Sequence, residues 1–122
     1  MAKKILIDDD EPDMVTLLTT LLEDNGYETV SAYNGIEGME KVQSDNPDLI
    51  TLDITMDKET GIKMYRKLCQ AGSQIPVIMV TGISDALGTF LGRYKDTTEP
   101  AGYFEKPIDN EALLAKIKEL IG

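Results

Sequence analysis

Hydrophobic positions along the chain fall into two patterns that take turns. Short apolar runs occur at Lys4-Ile5-Leu6-Ile7, at Leu49-Ile50-Thr51-Leu52 and at Pro76-Val77-Ile78-Met79-Val80. Runs of this length and character read as strands buried on both faces, as in a parallel sheet covered by helices. Between them, apolar residues recur at helical spacing. One stripe is Met14, Val15, Leu17, Leu18, Leu21 and Leu22; a second is Ile36, Met39 and Val42. A third is Ile62, Met64, Tyr65 and Leu68, and the last is Leu113, Leu114, Ile117, Leu120 and Ile121. Such stripes are core-facing sides of helices. Tyr27 to Ala32 alternates weakly and reads as a second strand near a sheet edge, and Ala101-Gly102-Tyr103-Phe104 reads as the fifth strand.

The punctuation agrees with this division. Pro12 suits the first turn of a helix, and Asn25-Gly26 forms a C-terminal cap pattern. Asn34 with Glu37 three residues later resembles a capping box, and Asp109 is the expected N-cap of the last helix. After Asp53 a loop from Ile54 to Thr60 is expected, with the third helix starting at Gly61 and running to Ala71-Gly72. Residues 83–100 are the least regular. Gly88 and Gly92 interrupt them, so only a short helix between Asp85 and Tyr94 is expected.

Five strand–helix units in alternation predict a single α/β domain over residues 1–122, a doubly wound five-stranded parallel sheet with helices on both faces. Right-handed crossovers place all five strand C-termini on one edge. Asp8-Asp9-Asp10, Asp53, Thr81 and Lys106 collect there. An acid at such a strand end sits where open α/β sheets place their chemistry.

Composition narrows the chemistry. The 122 residues contain no histidine, which excludes Ser-His and Cys-His catalysis and His-based metal sites. The one cysteine, Cys69, agrees with a reducing compartment and reads as a packing residue. Nothing approaches the roughly 18 apolar residues of a membrane span, and the N-terminal apolar run is too short for a signal peptide; a cytoplasmic location is the expectation. A net charge of −10 argues against direct nucleic-acid binding by this segment. Asp8, Asp9, Asp10, Glu11, Asp13 and Asp53 carry much of that imbalance, so it is local.

Carboxylates gathered in this way repel. At roughly 4 Å and an effective dielectric near 20, each pair costs about 4 kcal/mol, so the cluster must be protonated, solvated or occupied by a cation. An all-oxygen set favours a hard ion, Mg²⁺ first, with Mn²⁺ or Ca²⁺ behind. Lys106 and the Thr81 hydroxyl would supply the charge and the donor that a phosphoryl group needs. A carboxylate held there can itself attack phosphorus.

Over essentially its whole length the sequence resembles the receiver domain of two-component response regulators. The residues that carry the resemblance are Lys4 to Asp13, Pro47 to Asp53, Met56, Gly61, Pro76 to Gly82 and Tyr103-Phe104-Glu105-Lys106-Pro107. The resemblance implies a flavodoxin-like fold with strand order 2-1-3-4-5. It makes Asp53 the phosphoacceptor, with Asp10 a direct Mg²⁺ ligand, Asp9 acting mainly through water, and the Thr55 backbone carbonyl completing the protein's share. Lys106 would contact the phosphoryl oxygens, Thr81 would be the switch hydroxyl, and Tyr103 the aromatic that follows it. The Lys106-Pro107 bond would be cis. The implied partners are a sensor histidine kinase or phosphotransfer protein and a downstream protein or effector domain, reached through the fourth and fifth units. A phosphorylation-dependent homodimer stays open.

Three features depart from the family. Asp8 stands where an apolar residue is usual, and burying it would be costly unless it is paired; Asp8-Asp9 as the acidic pair is the other register. Asp57 replaces a common proline, and the Thr81–Lys106 interval is longer than usual and glycine-rich. Other classes remain: a receiver that signals by binding alone, a haloacid-dehalogenase-like phosphatase, for which Thr55 stands where a second acid is needed, and a flavodoxin-like FMN carrier, whose phosphate the three aspartates would repel.

Overall fold

The computed structural model describes residues 2–54, 58–82 and 99–122. The expected helix between Asp85 and Tyr94, Thr55 and Asp57 lie outside them. In chain order the elements are β1 (Lys4–Asp8), α1 (Pro12–Asp24), β2 (Glu28–Ala32), α2 (Gly35–Asp45) and β3 (Leu49–Asp53). They continue with α3 (Lys58–Gln70), β4 (Val77–Thr81), β5 (Gly102–Glu105) and a final helix, α4 (Asn110–Ile121). The strands form one parallel sheet in the order β2-β1-β3-β4-β5, the order the resemblance implied.

The most apolar runs hold the middle of the sheet. Every residue of β3 is buried, as is β1 from Ile5 onward, whereas β2 at the edge begins with an exposed Glu28. Alternation along the strands divides the core between the two faces. Leu6, Leu52 and Met79 pack with Met64, Tyr65 and Leu68 of α3. Ile5, Ile7, Leu49 and Ile78 pack with Val15, Leu18 and Leu22 of α1 and with Leu113 and Ile117 of α4.

The caps follow the local chemistry. The Asn34 side chain accepts the Glu37 backbone N–H at 2.8 Å, and the Glu37 carboxylate accepts from Tyr33 N–H at 2.7 Å rather than from Asn34 itself. Asp109 accepts from the Ala112 N–H at 3.1 Å and opens α4. The third helix departs from expectation. It starts at Lys58, three residues before Gly61, and Gly61 is buried within it. Weak glycine propensity suggests a boundary there, a cost of about 1 kcal/mol that the helix bears at a buried position one turn before its core residues Met64, Tyr65 and Leu68.

Candidate functional site

The C-terminal ends of β1 and β3 are adjacent in the sheet, with Asp8 in register with Leu52, so the residues that follow meet at one edge. Asp53 ends β3 and is 2% exposed. Asp9, just past β1, is equally buried, and its Oδ1 accepts the Glu11 backbone N–H at 2.9 Å. Asp10 beside it is exposed.

Lys106 enters from the end of β5, before a cis bond to Pro107. Its ammonium lies 2.9 Å from Asp53 Oδ2, 3.2 Å from Asp9 Oδ2 and 2.7 Å from Glu11 Oε1. Burial works against its charge, but Glu11, Asp53 and Asp9 outweigh burial and hold it above the ordinary lysine range. Asp9 is pushed up to about 6, first by burial and then by Asp53, against the opposing pull of the Glu11 N–H and of Lys106. The structure thus brings together Asp9, Asp10, Asp53 and Lys106 from three separate strand ends.

Two further expected residues occupy other positions. Thr81 ends β4 in register with Glu105. Tyr103 is in register with Met79 and packs against the core on the α3 side.

Glu11 is the site contact that the sequence reading does not single out. The sequence shows it only as one of the clustered acids ahead of Pro12, and at the N-cap position it makes no side-chain capping bond. Its carboxylate goes instead to Lys106, 95 residues away. Glutamate is not among the favoured N-cap residues, and that mismatch was the available signal.

Asp8 resolves the departure noted in the sequence. It shares a face with Leu6, on the side of α2 and α3, and is 1% exposed with neither oxygen bonded among the described residues. Burial first, then the charges of Glu37, Asp9 and Asp53, push its carboxyl up to about 8. Asp8 is buried without a partner among the described residues, and the cost expected of such burial shows in the raised carboxyl. The group is held mainly in its neutral form at pH 7.

Carboxylate oxygens of Asp9, Asp10, Glu11 and Asp53 all lie within 4.8 Å of one another. Octahedral Mg²⁺ with bonds of about 2.1 Å spaces its ligand oxygens by about 3 to 4 Å. The all-oxygen donor set fits a small hard cation, and oxygens within 4.8 Å of one another could hold one after a small closure. Asp8, aimed into the opposite face, does not belong to this set.

The comparisons agree with this geometry. The sequence model of the response regulator receiver domain matches residues 5–118. The alkaline phosphatase synthesis transcriptional regulatory protein PhoP of Bacillus subtilis is 34% identical over 99% of this chain, which spans only 49% of that regulator. Protein PilH of Pseudomonas aeruginosa is 32% identical, with 97% of both chains covered. Among solved structures, a CheY-like response regulator receiver domain protein from Methanospirillum hungatei superposes with a TM-score of 0.83 at 29% identity, covering 98% of this chain and 93% of that one. A signal receiver domain from Bermanella marisrubri gives 0.82 at 29% identity over the whole of both chains. The acidic strand ends, the lysine that joins them and these likenesses together place the chain in the response regulator receiver domain family of two-component systems.

Proposed function

We propose that Asp53 accepts a phosphoryl group in a Mg²⁺-dependent reaction. The observation that supports this most directly is the buried Asp53 carboxylate bonded to Lys106 within an all-oxygen cluster. An Asp53 oxygen attacks the donor's phosphorus and forms an O–P bond. The bond from phosphorus to the donor breaks, and its electron pair leaves with acetate or with a histidine nitrogen. Lys106 donates to the phosphoryl oxygens and opposes the charge that collects on them. A magnesium ion held by Asp9, Asp10 and Asp53, with the Thr55 carbonyl, would supply further positive charge there.

The Thr81 hydroxyl then closes on the phosphoryl group and Tyr103 follows, which changes the surface of the fourth and fifth units. The donor is a sensor histidine kinase, a phosphotransfer protein or a small acyl phosphate, and the recipient of the signal is a downstream protein or an effector domain. The protein catalyses only its own phosphorylation and dephosphorylation. Among the described residues no helix is long and apolar enough to cross a membrane.

Incubation with acetyl phosphate and Mg²⁺, read by intact mass, should give an adduct of one phosphoryl group, labile to acid and base, that Asp53→Asn abolishes. An adduct that survives that substitution would refute the assignment, and no adduct in the wild type would favour a receiver that signals by binding alone.

A further inference from the structure

We propose that Glu11 is a positioning residue that occupies Lys106 in the resting site and gives it up when a phosphoryl group arrives on Asp53. The inference rests on the phosphoacceptor reading above. A lysine ammonium has three N–H donors. Three carboxylates already surround this one: Glu11 at 2.7 Å, Asp53 at 2.9 Å and Asp9 at 3.2 Å. A phosphoryl oxygen gains Lys106 only as one of these contacts loosens.

The three differ in what it takes to release them. The Asp53 carboxylate loses its own charge on esterification, and its place on Lys106 passes to a phosphoryl group whose charge of about −1.5 to −2 repels the carboxylates that remain there. Of those, the Asp9 side chain is 3% exposed, so parting it from Lys106 leaves a buried charge uncompensated. Asp9 is also tied by the Glu11 N–H. The Glu11 side chain is 62% exposed, and its carboxylate is rehydrated as soon as it lets go. The shortest contact of the three is thus the easiest to exchange. Because Glu11 leaves the helix end uncapped, holding Lys106 is the contact its carboxylate makes in the resting state.

The test compares wild type with Glu11→Gln and Glu11→Asp. The second variant keeps the negative charge but is one methylene shorter. Phosphorylation rate is measured against acetyl phosphate concentration at saturating Mg²⁺, and beryllofluoride affinity is measured by NMR. Both variants should bind the phosphoryl analogue about two- to fivefold more tightly, the range of an ion pair with one exposed partner. In the absence of any donor, the Lys106 Nζ resonance should shift in both. A gain in Glu11→Gln with wild-type behaviour in Glu11→Asp would reduce the effect to net charge and overturn the proposal. Loss of Mg²⁺ affinity in both, without tighter analogue binding, would make Glu11 a metal ligand and overturn it equally. An adduct on wild-type Asp53 with no change in either variant sinks this proposal alone, whereas no adduct at all sinks the phosphoacceptor reading.

Discussion

Replacing Asp8 by asparagine removes a buried carboxyl while keeping its shape. In the unfolded chain Asp8 ionises near 3.8, whereas in the fold it keeps its proton up to about pH 8. Between those values the folded state binds the extra proton, so stability falls as pH rises. The loss starts near pH 4 and is complete above pH 8. At about 1.4 kcal/mol per pKa unit the whole gap is worth roughly 6 kcal/mol, and about 4 kcal/mol of it is in force at pH 7. That is a large part of the 5 to 15 kcal/mol typical of a domain. Both side chains bury polar atoms, so the remaining penalty is similar and independent of pH. Asp8→Asn should therefore match the wild type at pH 4 and exceed it by about 4 kcal/mol at pH 7. Urea unfolding followed by far-UV circular dichroism, in EDTA at one-unit steps from pH 4 to pH 8, measures this. The difference between the two proteins should widen by about 1.4 kcal/mol per unit. Parallel curves would refute the reasoning, because they would mean that Asp8 ionises alike in the folded and unfolded chains.

Two further substitutions examine its surroundings and the ion cluster. A Cβ at Gly38 would fall on Asp8 Oδ2 and within 2.7 Å of Met64 Sδ. Gly38→Ala should destabilise by about 1 to 3 kcal/mol despite gaining about 1 kcal/mol of helix propensity. Most of that loss should disappear in an Asp8→Ala background, and additive effects in the double-mutant cycle would count against the contact. Lys106→Met leaves Asp9 and Asp53 buried without their cation, and should cost about 3 kcal/mol at pH 7 in urea unfolding without metal. The loss should shrink by pH 5, below the value near 6 at which Asp9 takes up a proton. An unchanged midpoint at pH 7 would mean that Lys106 does not compensate these charges.

Much of the fold was legible in the sequence because it depends on neighbours a few residues apart. The central strands announce themselves as unbroken apolar runs, and Asn34 and Asp109 cap the helices that their local chemistry marks. The start of α3 was not legible. Gly61 looks like a boundary to local propensity, yet it is buried inside a helix that begins at Lys58. For the site, the residue pattern gathered Asp8-Asp9-Asp10, Asp53, Thr81 and Lys106, because strand ends in a parallel sheet share one edge, and the family resemblance singled out Asp9 and Asp10. What it could not decide was which of the acids at that edge meet. Alternation puts Asp8 on the face of Leu6, but the close approach of α2 at Gly38, which leaves that carboxyl no partner among the described residues, belongs to tertiary packing. The same holds for Glu11. Sequence placed it at a helix start, and only the folded chain brings it to Lys106, because contacts across 95 residues depend on how helices and sheet pack and not on any local preference.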